Sequence, residues 1–308
     1  MKKYQFDNQQ YLLKNKKIKN TNITMAFNVD GLSAYVAENK DIILKDIVFG
    51  TYGDTIPLMA KQLGIKTSEK IHPSTVDVVL QDVDGCGFSA QGGLTFSERT
   101  IVTHQKKVNM DFCPENLLGK FAEYSVRVGA NTDALPFEGE IVEGVAKSIN
   151  KQIESQIWSD MVNLDGIETK EAQNGAGNAY DLIMEAYMDM KEEVLEDGII
   201  FVRPELFRAY IKALVDKNLY HYNPADGDLE EIFIPGASVK VRKAKGITFN
   251  NVFATSPRNM IYGTDFLDNK EEIKVWFSDD DDVYKLKSRF NFGVQVAYPE
   301  LVTKLQYN

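Results

Sequence analysis

The chain has 308 residues, 44% of them hydrophobic and 26% charged, the proportions of a globular protein with apolar mass for about two lobes. Its formal net charge of −10 argues against a general DNA-binding protein, because phosphate contacts require clustered Lys and Arg. No apolar run reaches the roughly 18 residues of a membrane span, and Met1-Lys2-Lys3-Tyr4-Gln5-Phe6-Asp7 lacks the apolar stretch of a secretory signal, so synthesis and retention in a cytoplasm are expected.

The charge is unevenly spread. Lys2, Lys3, Lys14, Lys16, Lys17 and Lys19 crowd the start of the sequence, opposed there by Asp7. A basic tail on an acidic body reads either as a solvated segment or as a contact for nucleic acid or an acidic partner. The remainder of residues 1–66 is polar, with apolar clusters at Ile42-Ile43-Leu44 and Ile47-Val48-Phe49. It is predicted as an extended arm carrying short helical or strand pieces, without a core of its own.

A long hairpin is predicted next, with limbs at Thr75–Gln81 and Thr100–Met110. Gly85, Gly87, Gly92 and Gly93 lie between the limbs and supply the permissive dihedrals of a tip. A two-stranded ribbon is marginal in water alone. No adjacent segment offers it a broad apolar face, so a second subunit is its expected support. Cys113-Pro114-Glu115 then reads as the opening of a short helix, with proline in the first turn where its missing N–H costs nothing.

A longer helix is predicted from Phe137 to Val162, with Ile141, Val145, Ile149, Ile153, Ile157 and Met161 at every fourth position. Four residues overshoot one turn by about 40°, so this stripe winds round the helix and its two ends must pack on different surfaces. Gly139 and Gly144 weaken the first half by about 1 kcal/mol each relative to alanine, and bending is expected there.

After a Gly/Asn loop at residues 174–178, a second helix starts with Asn178 as its N-cap and buries Leu182, Ile183, Ala186, Met190 and Val194; Gly198 ends it. The strand Ile199–Val202 follows, and Pro204 starts a third helix with Phe207, Tyr210, Ile211 and Leu214 on one side. With the strands Ser238–Val241 and Val252–Ala254, this describes a compact α+β lobe. Near the end, Ile273, Val275 and Phe277 alternate before the turn Ser278–Asp282. Tyr284, Leu286, Phe290, Phe292, Val294, Val296 and Tyr298 then share one parity. That strand is about three times the usual five to six residues and fits a sheet spread beneath an extended helix.

Chemistry-bearing clusters are few. Cys86 and Cys113 form no CxxC pair, and His72, His104 and His221 are scattered, so neither a disulfide framework nor a zinc site is expected. Asp279–Asp282 carries carboxylates suited to a hard cation but lacks the spacing of a calcium loop, and reads as a solvated turn. Cys113 with His104 lacks an orienting third group for nucleophilic catalysis. A metal-dependent hydrolase built on Asp279–Asp282 is the enzymatic alternative, and no phosphate-cradling, GxSxG or HExxH motif supports it. No catalytic residue, metal ligand or cofactor is expected.

Three stretches carry a resemblance. Ile199-Ile200-Phe201-Val202-Arg203-Pro204-Glu205-Leu206-Phe207 has a strand–Pro–helix pattern, and Ile232-Phe233-Ile234-Pro235-Gly236-Ala237-Ser238-Val239-Lys240-Val241 a hydrophobic–Pro/Gly–Val-x-Val pattern. Phe290-Asn291-Phe292-Gly293-Val294-Gln295-Val296-Ala297-Tyr298-Pro299 is a terminal aromatic–Gly–hydrophobic–Pro strand. In that order, over about residues 70–308, they resemble the major capsid proteins of tailed bacteriophages, whose Hong Kong 97-type fold is related to encapsulin compartment shells.

The resemblance implies an α+β architecture in four parts: an N-terminal arm (1–66), an extended hairpin loop (67–112), a peripheral domain with a spine helix (113–172, completed by 270–298) and an axial domain (173–269). It implies a non-enzymatic subunit forming pentamers and hexamers of an icosahedral or elongated shell around double-stranded DNA. The shell is assembled in the host cytoplasm and becomes the virion capsid. The chain ahead of the hairpin is short for a scaffolding extension, so scaffolding, portal and decoration proteins are candidate separate partners. Contacts between subunits are expected at the hairpin tip (Cys86, Phe88, Phe96, Glu98, Arg99), at an axial loop (Tyr220, His221, Tyr222) and at the arm (Lys14, Lys16, Lys17). Cys86 is expected as a free thiol in a reducing cytoplasm.

Overall fold

Apolar residues at helical spacing open the described chain. Leu32 and Val36 lie on helix α1 (Asp30–Glu38), and Ile43, Leu44, Ile47 and Val48 on helix α2 (Lys40–Val48); all six are buried in the principal core. From residue 30 on, the segment is therefore not the extended arm its composition suggests. Its lysines occupy the solvent side of helices whose other side is apolar. The computed structural model describes residues 30–50, 53–82, 91–113, 137–220, 229–265 and 272–308. The expected helix start at Pro114 lies outside those residues.

Short strands follow: β1 (Ala60–Leu63), β2 (Ser68–Ile71), β3 (Ser74–Val78), β4 (Gly92–Phe96), β5 (Arg99–Val102) and β6 (His104–Phe112). The hairpin exists, but its second limb differs from the one expected. The run 100–110 is broken at Thr103: β5 stays in the hairpin, and β6 leaves it to pair antiparallel with the long strand β14 (Val283–Val296).

The spine helix α3 spans Phe137–Val162 and runs unbroken through Gly139 and Gly144, about 39 Å at 1.5 Å per residue. Val142, Ala146, Ile149, Ile153, Ile157, Trp158 and Met161 are buried, while Ile141 and Val145 are half-buried. The stripe does wind. Near the middle of the helix Asn150 Nδ2 donates to the Asp46 carbonyl of α2 at 3.1 Å. At the far end Trp158 lies on Phe201 and Phe253 of the second sheet, with ring centroids 5.1 and 5.5 Å away. Lys304 Nζ donates to the Val162 carbonyl at 2.7 Å, placing a cation on the negative end of the helix dipole.

Beyond β7 (Thr169–Glu171), helix α4 (Ala179–Met188), strand β8 (Ile199–Val202) and helix α5 (Pro204–Asp216) form the predicted lobe. Asn178 holds the N-cap position of α4, but its side chain donates to Asp181 Oδ2 (2.5 Å) instead of accepting a backbone N–H. The helix ends at Met188 rather than running to Gly198, and a 3-10 turn at Glu192–Val194 brings Val194 into the core.

With β9 (Glu231–Phe233), β10 (Lys240–Lys243), β11 (Asn251–Thr255) and β15 (Thr303–Gln306), a six-stranded sheet forms in the order β7-β15-β11-β8-β10-β9. Its central strands are covered on both faces. Ile200, Val202, Val252 and Ala254 meet α4 and α5, while Ile199, Phe201 and Phe253 meet the spine-helix core. This is why Ile199–Val202 reads as a continuous apolar run.

The other sheet is built on β14. Strands β12 (Met260–Thr264) and β13 (Glu272–Ser278) pair along one edge, β6 along the other, and β1 adds to β12 in parallel. Tyr284, Leu286, Phe290, Phe292, Val294 and Val296 face α1, α2 and α3, as the shared parity predicts. Tyr298, beyond the strand, is half-buried.

Candidate assembly surface

The hairpin ribbon is one continuous register. Ser68 lies opposite Val102 and Ile71 opposite Arg99; Ser97 N donates to the Pro73 carbonyl at 3.0 Å; Ser74 lies opposite Phe96 and Val78 opposite Gly92. The paired limbs 68–78 and 92–102 are roughly 35 Å long at about 3.3 Å per residue. Residues directly opposite share a face, so the register sorts the side chains. Val76, Val78, Leu94 and Phe96 fall on one face with Ser74; Thr75, Asp77 and Thr95 fall on the other.

Every residue of β3 and β4 is exposed. Val76 is 65%, Val78 75%, Leu94 55% and Phe96 67% exposed, so a coherent apolar face stands in water. Leu80, just beyond β3, is 96% exposed.

The root of the same ribbon is fixed. Alternate residues of β14, on the face away from the spine helix, hold it. Asn291 Nδ2 donates to the Lys66 carbonyl and to Thr103 Oγ1, both at 3.1 Å. Gln295 Nε2 donates to the Thr100 carbonyl at 2.9 Å, and Gln295 Oε1 accepts from Arg99 Nη2 at 3.2 Å. Between them, Gly293 lets the Val102 backbone pass so closely that a Cβ would lie 2.0 Å from its carbonyl oxygen.

Gly263 is the cross-strand partner of Gly293, and a Cβ there would meet Ile65 Cδ1 and Ile101 Cδ1 at 2.7 Å. The glycine pair is the flat seat on which the buried Ile101 and Ile65 rest. Farther out, Tyr298 OH accepts from Ser74 N and donates to the Ser74 carbonyl, both at 3.2 Å. The Asn259 side chain holds the Tyr298 backbone in turn, its Oδ1 accepting from Tyr298 N at 2.7 Å and its Nδ2 donating to the Tyr298 carbonyl at 2.8 Å.

The expected contact residues separate accordingly. Phe96 lies on the bare apolar face. Glu98 is exposed and paired with Lys70 (2.8 Å), whose hydrogen bond holds the Glu98 carboxyl below its usual range. Arg99 belongs to the root: its Nη2 also donates to the Asp165 carbonyl at 2.7 Å, which corrects its assignment to the tip. Tyr220 is half-buried beyond the end of α5, beside Leu219 and Phe233, which are 44% and 57% exposed. Cys86 and Phe88 (within 83–90), His221 and Tyr222 (within 221–228), and Lys14, Lys16 and Lys17 lie outside the described residues.

No catalytic constellation forms from the candidates the sequence offers. Cys113 and His104 stand nine positions apart at opposite ends of an extended stretch, roughly 30 Å. Asp281 is taken by Ser278 and Lys285 in a surface turn. Among the described residues no group of three or more His, Cys, Asp and Glu side chains is disposed to hold a metal, and no helix is long and apolar enough to cross a membrane.

No protein-family model and no curated protein matches this chain. Solved structures do. A chain of the satellite phage P4 procapsid, which includes the size determination protein, matches with a TM-score of 0.56 at 10% identity over 97% of both chains. The virus-like particle from Pyrococcus furiosus gives 0.52 at 11% identity over 87% of this chain and 98% of that one. The capsid of the native GTA particle gives 0.55 at 12% identity, over 82% and 88%.

The chain has the Hong Kong 97-type capsid fold. Within that fold the Asn291, Gly293 and Gln295 clamp has a clear physical task. It makes the hairpin root part of the rigid body while the apolar limb projects free. Sequence reasoning missed the clamp because attention to the apolar parity of β14 hid the polar residues interleaved with it.

Proposed function

We propose that this chain is the shell subunit of a capsid, a protein that works by binding copies of itself and carries out no chemistry. One observation carries the reading: the apolar face formed by Val76, Val78, Leu94 and Phe96 is left bare by a single subunit, although its root is firmly built. Burying one such side chain is worth about 1.5–3 kcal/mol, so association with a neighbour gains what folding alone leaves unused.

In the finer reading the particle is that of a tailed phage, an icosahedral or elongated shell of pentamers and hexamers around double-stranded DNA, assembled in the host cytoplasm. The hairpin limbs (68–78 and 92–102) reach a neighbour, and the axial domain (173–269) meets its copies through the loop at Tyr220–Tyr222. The peripheral domain (113–172 with 270–298) forms the shell wall. The lysine-rich start of the chain, with Lys14, Lys16 and Lys17, ties subunits together or touches the packaged DNA. Scaffolding, portal and decoration proteins are the further partners this reading implies.

Likeness to the Pyrococcus particle supports a second reading, a protein compartment of the encapsulin type. Electron microscopy of the purified protein tests both, with closed particles as the expected result. Duplex DNA inside them selects the phage shell and a protein cargo selects the compartment. A monodisperse monomer at high concentration refutes the two together.

A further inference from the structure

One turn of the spine helix is gripped from two sides. On one side, residues 53–56 lie between α2 and β1 and close on the Glu154 carboxyl. Thr55 N and Ile56 N donate to Glu154 Oε1 at 2.8 and 3.0 Å, and Trp158 Nε1 donates to Thr55 Oγ1 at 3.0 Å. A Cβ at Gly53 would lie 2.4 Å from the same carboxyl oxygen. On the other side, Gly246 lies beyond β10. A Cβ there would be 2.6 Å from both the Glu154 carbonyl oxygen and Trp158 Cδ1.

Residues 53–56 are tied to the six-stranded sheet as well. Arg242 Nη2 of β10 donates to the Asp54 carbonyl at 3.3 Å. Lys245 donates twice to the Asp54 carboxylate, from its backbone N to Oδ2 at 3.3 Å and from Nζ to Oδ1 at 3.1 Å. Arg242 is also paired with Glu231 at 2.8 Å and Glu230 at 3.5 Å. The loop therefore joins the spine helix to the six-stranded sheet.

Glu154 is the unbalanced member of this joint. It is 4% exposed, and its Oε2 has no hydrogen-bond partner. The cations nearby serve other acids: Arg242 pairs with Glu230 and Glu231, and Lys245 with Asp54. Lys151, one turn earlier on the helix, is exposed, and α2 contributes Asp46, whose carbonyl holds Asn150. Burial, reinforced by the charge of Asp54, holds the Glu154 carboxyl above its ordinary range against the pull of the Thr55 and Ile56 N–H groups.

We infer that Glu154 is a proton-operated latch: uncharged, it keeps residues 53–56 seated on the spine helix, and loss of its proton to water releases them. Once ionised, Oε2 is a buried charge without a donor and with a second carboxylate nearby, which is costly. Water reaches it when the loop lifts. Asp54 is bonded to Arg242 and Lys245, and Thr55 to the Trp158 indole, so the release is felt by the six-stranded sheet and by the helix. The latch is closed in acid and opens as pH rises through the raised pKa of Glu154. This goes beyond the shell reading: within a shell, the same event loosens the joint of every subunit, whatever the particle encloses.

Hydrogen exchange read by mass spectrometry tests the latch on the folded chain. Protection of residues 53–56 is expected to fall by about tenfold per pH unit upward from the ordinary carboxyl value of 4.5, then to level off. Protection of residues 149–157 of α3 is expected to stay constant. Glu154→Gln should hold residues 53–56 at their acid-side protection throughout. A flat wild-type profile overturns the latch, as does the same fall in Glu154→Gln or an equal loss along the whole chain, which marks global unfolding. If circular dichroism shows that Glu154→Gln does not fold, Trp276→Phe supplies the second measure, because it leaves Trp158 as the one tryptophan. Acrylamide quenching of Trp158 is then expected to rise over the same pH interval, and constant quenching overturns the inference. Failure of the wild-type chain to form particles counts instead against the shell reading.

Discussion

Gly293→Ala isolates the seat of the hairpin root. The added Cβ would lie 2.0 Å from the Val102 carbonyl oxygen, 2.9 Å from its carbon and 3.1 Å from Thr103 Cα. All three neighbours are backbone, so no side chain can rotate away. Ordinary contact begins near 3.4 Å, and the ribbon must lift by more than 1 Å at this point. Overpacking of a tight interior costs about 1–3 kcal/mol. Lifting Val102 also strains the Thr103 N–H to Thr67 carbonyl bond (2.9 Å) and the Gln295 to Thr100 bond (2.9 Å), each worth about 0.5–1.5 kcal/mol.

The expected loss is about 3 kcal/mol, read as a lower urea midpoint for the unassembled subunit, with faster proteolysis between residues 68 and 102. Gly144→Ala is the internal control: it sits on the exposed side of α3 with nothing within 4 Å of a Cβ, and should raise stability by about 1 kcal/mol. A Gly293→Ala midpoint within about 0.5 kcal/mol of wild type, with unchanged proteolysis, would falsify the account of the root.

Three further outcomes are expected. Val76→Ser with Phe96→Ser should leave subunit stability within about 0.5 kcal/mol, because both positions are exposed. The threshold concentration for particles, followed by light scattering, should rise about tenfold or more as apolar contacts of about 1.5–3 kcal/mol each are lost; unchanged assembly removes the ribbon from the interface. Arg99→Ala breaks two bonds at the root and should loosen the hairpin to proteolysis without lowering the helical signal of the subunit.

Glu154 is 4% exposed; its Oε1 accepts from Thr55 N (2.8 Å) and Ile56 N (3.0 Å), and Oε2 has no partner. Burial pushes its pKa above the ordinary 4.5 despite those N–H groups. Its contribution to stability is therefore complete below the unfolded value and is lost as pH rises through the folded one. Glu154→Gln should remove that decline, so urea unfolding from pH about 4 upward should show the variant gaining on wild type. Parallel curves would contradict it. Glu154→Ala leaves two buried N–H groups without an acceptor and should cost about 2–4 kcal/mol at any pH.

Much of the architecture is legible where one periodicity governs a long segment. The bounds of the spine helix, the winding of its stripe and the alternation through Tyr284–Val296 all follow from local pattern. What local pattern cannot supply is the identity of a partner strand. Residues 104–112 alternate as well beside β14 as they would in the hairpin, and only the close crossing at Gly293 decides between them. The same limit concealed α1 and α2. A nine-residue helix is marginal alone, and its stability comes from a surface that lies a hundred residues farther along the chain. Phe96 was recognisable as an exposed apolar residue because a large apolar side chain in a glycine-rich ribbon has no local partner. Arg99 was not recognisable as a root residue, because its acceptors, Asp165 and Gln295, are remote in sequence.

The same ribbon raises a problem of specificity whose answer lies in its charges. A bare apolar two-stranded ribbon is a template for pairing with its own kind, and subunits at high concentration would stick tip to tip before any ring formed. Two such limbs brought edge to edge would set Asp77 and Asp82 of one beside those of the other, with no Lys or Arg in the sequence from Ser74 to Ser97 to relieve them. Like charges at close approach disfavour that encounter, so the acids of the limb act against pairing of one tip with another while its apolar face stays available to a surface of different charge.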